Sequence, residues 1–179
     1  SSEAIMIYFE PIADALLSQG KFTEGFHEYR NLIALHPKEA VHHLQIAQAL
    51  LLAGMGETAR QEAETAVKLE PNSALAEKTL GAILEYDLVG RKMRPGSDYA
   101  GAQAALRAAI RLDPDDKSTV GDLAMLLEYN REGMRYGPGA DLKDAISTYR
   151  LLPQEKLESF GLQNNLPFGL MYAGQFAEA

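Results

Sequence analysis

One stretch of this chain is used twice. LEYDLVGRKMRPGSDYAGA at 84–102 recurs as LEYNREGMRYGPGADLKDA at 127–145, 43 residues further on, and eight of the nineteen positions are identical. Leu84, Glu85, Tyr86, Gly90, Pro95, Gly96, Asp98 and Ala102 match Leu127, Glu128, Tyr129, Gly133, Pro138, Gly139, Asp141 and Ala145. A unit of this size in tandem is one supersecondary element, too small to bury its own apolar face. Neighbouring copies must cover it, so the chain is expected to be a stack rather than a globule around one nucleus.

The unit is clearest at Ala40–Pro71. Its first half carries Val41, Leu44, Ile46, Ala47, Leu50 and Leu51 at helical spacing, which gives one broad apolar face. Gly54 and Gly56 interrupt it where a helix must end and the chain reverse. The second half, 57–69, consists mainly of good helix formers, with small residues at Ala59, Ala63 and Ala66 that let two backbones approach closely. Glu57 in the first turn and Lys68 in the last suit the helix dipole, and Pro71 stops the helix. The unit therefore reads as a helical hairpin.

Pro37 lies 34 residues before Pro71, and a first repeat falls in step at Phe9, Ile12, Ala13, Leu16, Gly20, Gly25 and Tyr29. Helices are expected at about 11–19 and 22–35, with Pro11 kinking the first or marking its regular start. The third repeat opens at Asn72, a candidate N-cap, and holds Leu80, Gly81, Leu84, Ala102, Leu106 and Ala109. It closes at Pro114, 43 residues after Pro71, with the extra length around 88–98. The fourth shares that long loop and the small slots Ala124 and Ala145, but Leu152 and the early Pro153 predict a different closure. A partial fifth carries Leu166, Leu170, Gly174, Phe176 and Ala179, and Pro167 predicts a bend or a late helix start. The array is thus expected to run 6–39, 40–73, 74–116, 117–159 and 160–179 in one continuous domain. A start at SSEA and a half-hairpin end lead us to expect a piece of a longer protein, or an end covered by a partner.

The pattern resembles the tetratricopeptide repeat, W-x2-L-G-x2-Y, then A-x3-F, then P, over 34 residues. Here the slots read His43, Ile46, Ala47 and Leu50, then Ala59, Ala63 and Pro71, with His43 replacing the aromatic residue. The long-loop variant is similar to the repeat segment of some large bacterial proteins that also carry a transglutaminase-like domain. The resemblance implies an all-α solenoid, a right-handed superhelix whose first helices line a concave groove for a peptide or protein segment. Carried over by register, the groove positions are Leu44, Gln48, Leu51 and Leu52; Lys78, Ala82, Glu85 and Tyr86; Asp122, Met125, Glu128 and Tyr129; and Asn164, Asn165, Phe168 and Tyr172. Tyr86, Tyr129 and Tyr172 fall in one slot, 43 residues apart. They are either rigid contact residues for a ligand or packing for their own loops. Some members of the family grip a C-terminal carboxylate with cations. The matching positions here are Glu10, Asp14, Gln45, Leu75 and Thr79, which would repel one.

The long loops hold Arg91, Lys92, Arg94, Arg131 and Arg135, a candidate basic patch for an anion or acidic segment. The alternative is surface pairing with Asp87, Asp98, Glu132 and Asp141. With 25 acidic against 17 basic residues and a formal charge of −8, the chain is a poor general nucleic-acid binder. It has no cysteine, hence no disulfide or thiolate chemistry, and no apolar run approaches the ~18–20 residues of a membrane span. Cytosol and periplasm fit equally. Gly54–Ala59 matches G-x-G-x-x-A, but it follows a helix rather than the strand that motif needs. His27, His36, His42 and His43 lack ligand spacing, and Asp113-Pro114-Asp115-Asp116 reads as a turn and helix cap rather than a calcium loop. No hydrolase, zinc-protease or phosphate-loop motif occurs. The expectation is a non-catalytic interaction module without cofactor or metal. The alternative is a structural spacer or an arm self-associating through its C-terminal end, within a larger multidomain protein, enzymatic or not.

Overall fold

The computed structural model describes residues 12–177. Helix α1 covers 12–18, and α2 Phe22–Leu35, α3 Ala40–Leu52, α4 Gly56–Leu69, α5 Ala74–Leu84, α6 Tyr99–Leu112, α7 Lys117–Leu127, α8 Leu142–Tyr149, α9 Gln154–Ser159 and α10 Asn165–Tyr172 follow. Among the described residues there is no strand, only isolated bridges within the long loops. No helix there is long and apolar enough to cross a membrane. The expected roles of Phe9, Glu10, Pro11 and Ala179 lie outside the described residues.

Small residues make the hairpins. Ala59, Ala63 and Ala66 are fully buried where α4 meets its neighbours, and Ala102, Ala105 and Ala109 repeat the stripe on α6. Gly81 on α5 faces this second stripe, and a Cβ there would lie 2.8 Å from the Leu106 side chain. The apolar clusters then bridge hairpins. One joins Tyr29 and Leu32 to Ile46, Leu50 and Ile83, from α2 through α5. A second joins Leu84 and Leu106 to Leu123 and Leu127, and a third joins Val120 and Tyr149 to Leu157 and Leu162. Each helix thus leans on the next hairpin as well as its own partner.

The caps refine the expectation. Ser73, not Asn72, caps α5, its hydroxyl accepting from the Ala76 N–H at 3.3 Å. Asp116 caps α7 through the N–H groups of Ser118 and Thr119 at 3.0 and 3.4 Å, as the acidic turn predicts. Asp98 and Asp141 cap α6 and α8. The fourth hairpin closes early: α8 stops at Tyr149, and α9 inserts Leu157 beneath it. Pro167 lies in the first turn of α10, where its missing N–H costs nothing, so the late helix start occurs.

Candidate binding groove

The two long loops share one backbone plan. The Asp87 side chain accepts from the N–H groups of Val89 and Arg91 at 3.1 and 2.8 Å. Asn130 accepts from Glu132 and Met134 at 3.1 and 2.9 Å, the same positions one repeat later. Met93 and Tyr136 both take left-handed backbone (φ 52° and 57°), and their N–H groups return to the carbonyls of Glu85 and Glu128. The loops are therefore built turns with an asparagine or aspartate hub.

Beneath each turn lies a buried carboxylate. Glu85 is 5% exposed and pairs with Lys92 at 2.9 Å. Glu128 is fully buried; it accepts from Arg135 at 2.7 Å and from the hydroxyls of Tyr136 and Tyr149 at 3.1 and 3.0 Å. Asn165 completes the chain by donating to Tyr149 at 2.8 Å. Arg91 pairs with Asp87 at 2.7 Å. Of the five cations of the candidate basic patch, Arg91, Lys92 and Arg135 are paired with carboxylates at the loop base. Of the acids expected to do this only Asp87 does so, because Asp98 and Asp141 face helix N-termini instead. Arg94 and Arg131 are exposed. Arg60 of α4 was not singled out by the sequence; its guanidinium holds the Tyr86 and Gly96 carbonyls and ties one hairpin to the next hairpin's loop.

On the side lined by α5 and α7, a pocket of about 280 Å³ opens among Ala82, Glu85, Lys92, Asp122, Met125 and Tyr129. Five groove positions, Ala82, Glu85, Asp122, Met125 and Tyr129, come together there, with Lys92 from the loop. Burial pushes the Glu85 carboxyl up, partly opposed by Lys92, and burial likewise pushes Asp122 up. Lys78 is nearby in charge but committed to Asp116 and Ser118 at 2.7 and 2.6 Å. A second, larger cleft of about 600 Å³ lies between α1, α2 and α3 and includes Gln48 and Leu52, the latter 86% exposed.

Other groove positions do not join these clefts. Leu44 is 5% exposed and packs with Ala40, Ala66 and Ala76, so it belongs to the core: α3 is covered by both α4 and α5. Asn165 is engaged with Tyr149. Phe168 and Tyr172 are exposed on α10. The tyrosine row has protein neighbours throughout. Lys92 lies over the Tyr86 ring at 5.7 Å, Tyr129 packs on the second core cluster, and Tyr172 stacks on Tyr136 at 4.6 Å. His43, in the aromatic slot, is 9% exposed and pairs with Glu62 at 2.7 Å. Among the described residues no group of three or more His, Cys, Asp or Glu is placed to hold a metal ion.

No protein-family model matches the chain, and no curated protein matches its sequence. Solved structures do. A double mutant of MamA from strain RS-1 superposes with TM-score 0.73 at 18% identity, covering 97% of this chain and 87% of that one. Another MamA structure gives TM-score 0.64 at 18% identity, with 97% and 92% covered. A mutant Thermobaculum terrenum O-GlcNAc transferase gives TM-score 0.60 at 19% identity over 84% of this chain, but only 26% of the transferase. At these identities the likeness is one of fold. With paired helices, small-residue stripes and neighbour-bridging cores, the chain is an all-α helical-hairpin solenoid of tetratricopeptide type.

Proposed function

We propose that this array is a non-catalytic interaction module whose concave face holds a peptide or protein segment. The carrying observation is the pocket between α5 and α7, where five register-assigned groove residues line one cavity of mixed polarity. The larger cleft beside Leu52 supports the same reading further along the array. Binding pockets combine apolar walls with a few convergent polar groups, and this one does. Leu52→Glu and Ala82→Arg alter exposed positions on the two clefts without entering the core. Each is expected to weaken a peptide selected against the wild-type array by about tenfold, with an unchanged thermal melt. A peptide indifferent to both would contact another surface and overturn the reading.

A second reading, a self-associating arm of a larger protein, is favoured by one observation. Phe168, Met171, Tyr172 and Phe176 are all exposed at one end, between 46% and 73%. It predicts a molecular mass by light scattering that rises with concentration and is restored to the monomer by Phe168→Ser with Phe176→Ser. A constant mass would exclude it.

A further inference from the structure

The pocket between α5 and α7 holds one more negative charge than its own packing uses. Glu85 has Lys92 at 2.9 Å, and Asp116 has Lys78 at 2.7 Å. Asp122 is half-buried between these pairs and makes no hydrogen bond or ion pair with any described residue. Its charged neighbours, Glu85, Lys78, Lys92 and Asp116, act on it only through space. Three carboxylates thus face two ammonium groups, and both cations already serve other acids. A carboxylate withdrawn from water without a partner is unfavourable, and its raised proton affinity reflects that. A fold gains nothing by keeping such a group, whereas a site does. Met125 and Tyr129 supply an apolar wall and an aromatic ring beside it. One unpaired carboxylate is too few for calcium or magnesium, which require several oxygen ligands.

We infer that this pocket receives the cationic side chain of a lysine or arginine from the bound segment, with Asp122 as its counter-charge and Met125 and Tyr129 against its stem. This rests on the concave-face reading above and specifies the partner as basic at that position. An arginine or lysine suits the site: its stem buries on apolar walls while its head pairs with the carboxylate. The array's net charge of −8 would also steer a basic segment toward it.

The test needs no variant at first. Short end-blocked peptides are selected on the wild-type array from a positional-scanning library, and the best is remade with citrulline, the neutral isostere of arginine, or with norleucine for lysine. Selection of a basic residue at one position is expected, together with a loss of about tenfold or more on neutral replacement, and with amide-resonance shifts on α5 and α7. Asp122→Asn should close the gap between the charged and neutral peptides while leaving the melting temperature equal or higher. Asp122→Lys should invert the preference toward an acidic residue, which mere unfolding cannot do. Equal binding of charged and neutral peptides, a gap that survives Asp122→Asn, or selection of acidic or apolar residues would each overturn the inference. In those cases, peptides that still shift first-helix resonances leave the groove reading intact. If no peptide perturbs any first helix, both fall together.

Discussion

At the scale of single residues, the two buried glutamates show how one slot serves two ends. Glu128 is the floor of its loop: three side chains donate to it, and Tyr149 is itself fully buried. Burial, with the adjacent Glu128 charge, pushes the Tyr136 and Tyr149 phenols far up, so both remain protonated donors at any working pH. Glu128→Leu would strand Arg135 and the buried Tyr149 hydroxyl. It is expected to cost about 3 kcal/mol or more in urea unfolding, and Glu128→Gln distinctly less. Asp122 acts in the opposite sense. Its folded pKa lies above the ordinary 3.8, so the folded state binds the proton more tightly. Stability is then highest below that value and falls as pH rises through the raised one. Glu85, raised from 4.5, shares this sign. Asp116 opposes it. Although burial works against its charge, hydrogen bonds from Lys78, Ser118 and Thr119 hold it well below the usual range, so its contribution is lost only as pH falls below 3.8. Melting temperatures measured from pH 4 upward should therefore fall for the wild type relative to Asp122→Asn. Parallel curves would show that Asp122 feels no burial.

At the scale of elements, the long loops behave as rigid parts of the repeat. Asn130 supplies two backbone acceptor contacts and donates to the Pro138 carbonyl at 3.1 Å. Asn130→Ala should cost about 2 kcal/mol. Asn130→Asp keeps the two acceptor contacts that Asp87 makes one repeat earlier, but it loses the donor to Pro138 and has Met134 where Asp87 has Arg91, so it should cost an intermediate amount, about 1 kcal/mol. Equal losses in denaturant melts would refute the shared-hub account. These elements also mark what the sequence made legible. Hairpins were readable because helical period, alanine stripes and glycine–proline punctuation agree over many residues. The loop recurrence was readable as identity, but not its wiring. Sequence proximity pointed the cations to Asp98 and Asp141, whereas the turn folds Lys92 and Arg135 back over Glu85 and Glu128, seven residues upstream. Helix α9 left no signal because six residues carry no period. Register alone gives Leu44 to the groove face, whereas the structure buries it because α3 is covered from two sides. Arg60 had no signal at all, since its partners are backbone carbonyls of the next hairpin.

At the scale of the whole molecule, hairpins are coupled twice, by apolar clusters and by an edge where turns interlock. Gly133 shows the edge most sharply. It has φ +77°, and a Cβ on it would lie 2.2 Å from the Met93 carbonyl oxygen of the preceding loop. Gly56 meets the Asp87 carbonyl in the same way. In a one-dimensional array, stability is the sum of unit and interface contributions, and cooperativity survives only while interfaces exceed the differences between units. Gly133→Ala strikes one interface on its backbone side and adds left-handed strain of about 1–2 kcal/mol to the steric clash. It removes no apolar contact within either hairpin. The wild-type array should unfold in one transition. The variant should unfold in two, with hydrogen exchange lost first in α7–α10 while α3–α6 stay protected. Gly139→Ala is the control: it is left-handed too (φ +87°), but nothing lies within 4 Å of its added Cβ. It should lower the midpoint modestly and keep a single transition. Two transitions in both variants would mean that backbone strain, not the interlocked edge, sets the cooperativity. One transition in both would mean that the apolar clusters alone hold the stack together.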